Sequence, residues 1–263
     1  MNDKFHGETI IIKIGTAALC SPDGALDEEL IAARLGEIAE AKSKGAFVAL
    51  VTSGAVAMGK KMCGGIGKPA DGKLTKFYAS VGQPMLMNLY SRILSQHKLG
   101  IGQLLLNQKD IHTPENLRDT LQDFRNHPQI LPIINENDAV ATPEFAEKLA
   151  FGDNDELAGK IAELIEADRL IILSNVEGIY DADGKTIATI CPVNHIHVVD
   201  GILSNAEQKS THGRGGIKTK LTAALAVANK GISVHIASSR ADKVITRILK
   251  SESVGTTVVH SAA

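Results

Sequence analysis

Short β-branched runs recur along this chain, and each stops abruptly at a small polar segment, which restricts it to folds built from buried parallel strands. Thr9–Ile14 reads TIIIKI and ends at Gly15-Thr16, and Phe47–Thr52 reads FVALVT and is broken by Ser53-Gly54-Ala55. Near-continuous apolar runs of this length, as opposed to alternating ones, belong to strands covered on both faces. Between them Asp27 is a candidate N-cap, Glu28 and Glu29 complement the dipole of a first turn, and Gly45 supplies a stop. Ile31, Leu35 and Ile38 repeat there at helical spacing. A strand–helix–strand connection of this kind implies a parallel pair.

The alternation continues to the end of the chain. The pattern predicts a helix over Thr75–Leu99 with Pro84 as a candidate kink, a strand over Ile101–Leu106, a helix over Pro114–Arg125 and a strand over Ile130–Ile134. A helix over Asp155–Glu166 and a strand over Arg169–Leu173 follow. Beyond Asn175, Gly178, Asp181, Asp183-Gly184 and Pro192 punctuate short segments and predict hairpins or an excursion. A helix over Ile217–Lys230 is closed by Gly231, then come a strand over Val234–Ala237, a helix over Lys243–Leu249 and a strand over Thr256–Val259. There is no internal repeat and no low-complexity linker. One three-layer α/β domain with two lobes is the expected result.

Composition narrows the function classes. The 263 residues include six Phe, three Tyr and no Trp, so the core is aliphatic, as a helix-covered parallel sheet requires. A net charge of −2 gives no basic field for nucleic acid. Cys20, Cys63 and Cys191 are far apart and suggest neither a disulfide framework nor a zinc site. No apolar run approaches the ~20 residues that span a bilayer. Met1–Glu8 is polar and lacks the apolar stretch of a signal peptide, so the expected location is cytoplasmic.

Candidate chemistry sits where strands end. Lys13-Ile14-Gly15-Thr16, Thr52-Ser53-Gly54, Asn135-Glu136-Asn137-Asp138 and Ser174-Asn175 each follow or close a predicted strand. In an open parallel sheet the carboxyl ends of strands share one edge, and ligands bind in the crevice there. Each segment alone also reads as a polar turn; four together favour a site. Gly213-Arg214-Gly215-Gly216 precedes one helix and Ser53-Gly54-Ala55 another, and free N–H groups at such starts attract anions. A glycine hinge is the alternative for the first of these. Neither a G-x-x-x-x-G-K-[ST] loop nor a G-x-G-x-x-G after the first strand is present.

Lysines supply the charge that phosphoryl transfer needs. Lys13 lies inside an apolar strand, where an ammonium needs a partner unless the strand is an edge. Lys218 and Lys220 occupy the first turn of a helix, where the dipole disfavours cations and a bound polyanion would offset the cost. Asp153 and Asp155 stand at another helix start, either as caps or as partners for those cations. His195 and His197 share a side of a predicted strand but have no evident third metal ligand. Cys63 reads as a small loop residue, and Met85 and Met87 as packing.

Taken in order, these segments resemble the amino acid kinase family, and in particular its branch that phosphorylates free glutamate. The resemblance is carried by Lys13–Thr16, Val51–Ala57, Arg118–Leu121, Pro132–Val140, Phe151–Asp155, Gly213–Lys220 and Ser253–Thr256, and runs over nearly the whole chain. It implies a three-layer αβα sandwich with a mainly parallel eight-stranded central sheet, the carbamate kinase-like fold. Residues 1–165 would bind glutamate and 166–263 would bind ATP. By the same resemblance, Lys13 and Lys220 flank the transferred phosphoryl group and Asp155 holds both lysines. Ser53, Gly54, Asn135, Asp138, Asp153 and Asn154 would bind glutamate. Lys13, Gly15, Ser174, Asn175, Arg214, Gly215, Gly216, Ile217, Lys218, Thr219 and Lys220 would bind ATP. Mg²⁺ would be carried by the ATP phosphates without protein side-chain ligands.

The implied product is glutamyl 5-phosphate, the first intermediate of proline synthesis, and the implied assembly a homo-oligomer, dimer or tetramer, with no nucleic-acid or membrane partner. The resemblance covers the kinase domain and not the RNA-modification-like C-terminal domain that many relatives add. Ser174-Asn175 stands where Thr-Asp or Ser-Asp is commoner, and Ala17-Ala18 where a serine is often found. Two other readings remain. One is a family member acting on an acetylated amino acid, a nucleoside monophosphate or isopentenyl phosphate; the other is a non-catalytic amino-acid-binding regulator. A phosphate acceptor calls for extra Arg or Lys near Asn135–Asp138 and Gly152–Asp155, and those segments carry only acidic and amide side chains.

Overall fold

The central strand, Thr9–Ile14 (β1), is buried at every residue because its isoleucines face helices on both sides. The computed structural model describes residues 7–21, 24–64, 74–140, 154–191 and 217–260. In chain order the elements are β1, α1 (Thr16–Leu19), α2 (Glu28–Ser43), β2 (Phe47–Thr52), α3 (Ala55–Met62), α4 (Thr75–Ser95), β3 (Gly100–Leu106) and α5 (Gln108–His112). They continue with α6 (Glu115–Asn126), β4 (Ile130–Glu136), α7 (Asn154–Leu164), β5 (Arg169–Ser174), β6 (Thr189–Ile190), α8 (Ile217–Ala228), β7 (Ser233–Ser238), α9 (Val244–Leu249) and β8 (Thr256–Val258).

The strands form one eight-stranded sheet in the order β3-β4-β2-β1-β5-β7-β8-β6. Every pairing is parallel except β7 with β8. This is the αβα architecture expected from the alternation. The short β6 had no periodic signal, and β8 reverses direction to close that side. Its neighbourhood contains the expected hairpin: Tyr180 and Thr186 bridge antiparallel, and Asp181 Oδ1 accepts from the N–H groups of Asp183 and Lys185.

Alternation along β1 assigns its side chains to two cores. Ile10, Ile12 and Ile14 pack with Leu35 and Ile38 of α2, Leu86 and Tyr90 of α4, and Ile245 of α9. Ile11 packs on the other face with Leu157 and Ile161 of α7 and Leu221 and Ala224 of α8. Lys13 is two residues from Ile11 and therefore projects to the α7 and α8 face.

Helix ends differ from the expected ones for a local reason. Asp27 caps α2 as expected, accepting from the Leu30 N–H at 3.0 Å. The long helix runs through Pro84 and stops at Ser95, short of Leu99, because Lys98 turns left-handed and the Leu99 N–H closes back on the Leu94 carbonyl. Glu166 does the same after α7, where the Ala167 N–H bonds the Ala162 carbonyl. Non-glycine residues at these positions leave no glycine to read.

Candidate active site

The carboxyl ends of the central strands finish level with one another. Ile14 pairs with Thr52 on one side and Leu173 on the other, and Val51 pairs with Ile134, so Gly15, Ser53, Asn135 and Ser174 emerge along one edge. That edge is where side chains from distant parts of the chain meet.

The charged centre is a triad of buried groups. Lys13 Nζ lies 2.6 Å from Asp155 Oδ1, and Lys220 Nζ lies 3.2 Å from Asp155 Oδ2. Lys13 is 3% exposed and Asp155 1%, on a central strand, which rules out the edge-strand reading of Lys13. Burial pushes the Asp155 carboxyl up, but the two ammonium charges and their hydrogen bonds outweigh it and hold the group below its ordinary value. One carboxylate thus holds two cations that would otherwise repel each other. Gly15 leaves room beside them: a Cβ there would stand 3.1 Å from Lys13 Nζ.

Next to the triad, Asn154 precedes Asp155 in α7 and ties three segments together. Its Nδ2 donates to the Thr52 carbonyl at 2.9 Å, to Ser53 Oγ at 2.6 Å and to Asn135 Oδ1 at 3.1 Å. Asn135 Oδ1 also accepts from the Glu136 N–H at 2.9 Å, and Asn135 Nδ2 donates to Gln83 Oε1 at 3.0 Å. The cluster contains no charged side chain. Two of its buried atoms, Asn154 Oδ1 and Gln83 Nε2, have no hydrogen-bond partner among the described residues.

Behind it, the Thr52 hydroxyl donates to the Ser53 carbonyl at 3.2 Å and stands 2.7 Å from the Tyr90 hydroxyl, which is left as donor to it. Burial pushes the Tyr90 phenol up to about 12, against a smaller opposing effect of Thr52, so it stays protonated. Gly54 opens α3 at φ +110°, a left-handed conformation that turns the chain sharply after Ser53.

The sequence matches the amino acid kinase family over residues 8–238. The chain belongs to the amino acid kinase family. Its relatives include the glutamate 5-kinase of Prochlorococcus marinus, 36% identical over 95% of this chain and 68% of that protein. The glutamate 5-kinase of Symbiobacterium thermophilum is 35% identical over 95% of both chains. Two solved structures share the fold. Carbamate kinase from Giardia lamblia bound to AMP-PNP matches with a TM-score of 0.66 at 16% identity, over 97% of this chain and 99% of its own. N-acetylglutamate synthase from Neisseria gonorrhoeae, complexed with coenzyme A and L-arginine, matches with a TM-score of 0.69 at 13% identity. That match covers 98% of this chain and 63% of the synthase.

Of the residues that the family resemblance singled out, Asp155 contacts both Lys13 and Lys220, and Asn154 donates hydrogen bonds to both Ser53 and Asn135. Gly15 and Gly54 adjoin these groups, and Asp138 lies in the turn that follows β4. Ser174 is buried at the end of β5, its hydroxyl 3.3 Å from Asn175 Oδ1. Ile217, Lys218 and Thr219 form the first turn of α8 with Lys220. Asp153, Arg214, Gly215 and Gly216 lie outside the described residues, as do His195 and His197.

Gln83 and Tyr90 were not singled out in the sequence, and Thr52 was named only as part of the segment Thr52-Ser53-Gly54. Gln83 had a signal: it falls on the same helical stripe as the buried Ala79, Leu86 and Tyr90, where an amide is out of place. Among the described residues no cluster of His, Cys, Asp or Glu could hold a metal ion, and no helix is long and apolar enough to cross a membrane.

Proposed function

We propose that this chain transfers the γ-phosphoryl group of ATP to the side-chain carboxylate of L-glutamate, giving L-glutamyl 5-phosphate. The observation that carries the reading is the juxtaposition of the Lys13–Asp155–Lys220 triad with an uncharged amide-and-hydroxyl cluster at one sheet edge. The glutamate 5-kinases among its relatives support the choice of acceptor.

Phosphoryl transfer depends on in-line positioning and on neutralising charge on the equatorial oxygens. A carboxylate acceptor is already ionised at neutral pH, so no general base is required. The difficulty is that two anions must approach each other. In this reading Lys13 and Lys220 lie on either side of the transferred group and offset that repulsion. Asp155 fixes both ammonium groups before substrate arrives, so no reorganisation is needed at the moment of transfer.

The neighbouring cluster suits the rest of the amino acid. Asn154 Oδ1 is a buried acceptor without a partner among the described residues, suited to an α-ammonium. Ser53 Oγ accepts from Asn154, which leaves its own hydrogen free to donate to a carboxylate. Gly54, Asp138 and Asp153 complete the proposed glutamate site. Gly15, Ser174, Asn175 and the segment from Arg214 to Lys220 form the proposed nucleotide site, which places glutamate over 1–165 and ATP over 166–263. Mg²⁺ fits as a companion of the ATP phosphates, since both oxygens of Asp155 face ammonium groups.

The test is incubation with ATP, Mg²⁺, glutamate and hydroxylamine. A glutamate-dependent hydroxamate is expected. ADP release driven by another acceptor, with no hydroxamate from glutamate, would refute the reading.

A further inference from the structure

We propose that Gln83 is a positioning residue for the amino-acid site, acting through Asn135; this rests on the glutamate reading above. Gln83 lies on α4, outside the segments that follow the strands in sequence, and is 7% exposed. A glutamine on a buried helical stripe costs stability compared with leucine or methionine unless its amide is used. Here half of it is used. Gln83 Oε1 accepts from Asn135 Nδ2 at 3.0 Å, and Nε2 has no partner among the described residues.

That bond ends a chain of amides with one direction. The Glu136 N–H donates to Asn135 Oδ1, so the nitrogen of Asn135 must face Gln83. With Oδ1 turned toward α7, Asn154 presents its nitrogen to Asn135, Ser53 and Thr52, and its own Oδ1 is left as an acceptor. Reversing Asn135 would set its NH₂ against two donors, the Glu136 N–H and Asn154 Nδ2, and its oxygen against Gln83 Oε1. The polarity of the site at Asn154 and Ser53, set by the Glu136 N–H and the Thr52 carbonyl, therefore calls for an acceptor and not a donor at residue 83.

The backbone brings that acceptor within reach. Helices α3 and α4 cross in unusually close contact: a Cβ on Gly59 would overlap the Tyr78 carbonyl, and one on Gly82 would overlap the Ala55 carbonyl. Ala55 is the first residue of α3, directly after Ser53-Gly54. The glycine at 82 thus seats its neighbour Gln83 against the loop that bears Ser53.

The experiment compares Gln83→Met, Gln83→Glu, Asn135→Ala and the Gln83→Met/Asn135→Ala double variant. Each is assayed for glutamate KM, ATP KM, kcat and melting temperature. Methionine keeps volume and helix propensity but removes the acceptor, leaving Asn135 Nδ2 buried and unpaired. The expected result is a glutamate KM raised by about tenfold or more, with ATP KM within about twofold. Gln83→Glu retains an acceptor toward Asn135 and is expected to keep glutamate KM within about threefold. The double variant should be no worse than Asn135→Ala alone, because both changes break one relay.

Additive effects in the double variant would overturn the proposal, as would a Gln83→Glu KM raised as far as that of Gln83→Met. So would parallel rises in both substrates' KM values. If Gln83→Met does not fold, Gln83→Leu, which also lacks the acceptor, takes its place in every comparison. A parent protein that makes no glutamate hydroxamate sinks the underlying reading; a parent that does, with unchanged variants, sinks only the role of Gln83.

Discussion

Lys13 Nζ, on the central strand, stands 2.6 Å from Asp155 Oδ1, at the start of the helix that covers that strand. Lys220 reaches the other oxygen of the same carboxylate from the next helix. Three parts of the chain are thereby held by one side chain.

Asp155→Asn would leave two buried ammonium groups facing a neutral amide. Breaking a buried ion pair on one side costs about 3 kcal/mol, which urea unfolding would register as a lower midpoint. Turnover should fall by at least about 100-fold, because both lysines lose their orientation. Near-parental turnover in the folded variant would contradict the role given to the triad. Because its folded pKa lies below the ordinary 3.8, the carboxylate contributes stability above that pH and loses it as pH falls through the folded value. The Asp155→Asn variant should therefore lack that step of acid sensitivity.

Lys220→Ala leaves Asp155 paired with Lys13 and does not touch the amide cluster. The expected outcome is a kcat lower by about 100-fold or more, with glutamate still raising the melting temperature as it does in the parent. Unchanged turnover would refute a place for Lys220 beside the transferred group.

His235 predicts a different acid window. It is buried on β7 between Ser233 Oγ, 3.2 Å from Nε2, and Thr257 Oγ1, 3.1 Å from Nδ1. Burial, helped by the charge of Arg169, pushes its pKa down to about 4 from 6.5. The unfolded chain takes up the proton first, so stability falls as pH drops from 6.5 toward 4, by up to about 1.4 kcal/mol per pH unit. Urea unfolding at pH 7, 6 and 5 would measure the slope. His235→Asn should flatten it, and an equal slope in both proteins would show that another group titrates.

Gly54 sits at φ +110° and starts α3 next to Ser53. A Cβ there meets only side chains, Leu26 and Leu19, at 3.7 and 3.8 Å, so the cost of Gly54→Ala is backbone strain and not collision. About 1–2 kcal/mol of stability should be lost. Glutamate KM should rise more than ATP KM, because the turn carries Ser53. Equal changes in both would separate the turn from the amino-acid site.

The fold was legible because its strands are aliphatic runs, and the period of a strand is a property of the chain alone. Helix ends at Gly45 and Gly231 were legible for the same reason: glycine takes the left-handed turn without strain. The ends near Lys98 and Glu166 use the same turn without glycine and could not be read, whereas the end at Leu249, before a left-handed Ser251, was placed correctly. There the following N–H bonds back into the helix and offsets the strain, as at Leu99, Ala167 and Glu252.

At the site, the sequence by itself placed a lysine in an apolar run, amides and acids at strand and helix starts, and cations in the first turn of α8. Those placements required partners; the pattern offered Asp153 and Asp155 equally with a capping role, and only the family resemblance named Asp155. Tertiary structure decided that one carboxylate serves both lysines, because strand alternation turns Lys13 toward the face on which α7 and α8 pack. It also decided the part played by Gln83. Only the close crossing of α3 and α4, at glycines far apart in sequence, brings that amide to Asn135.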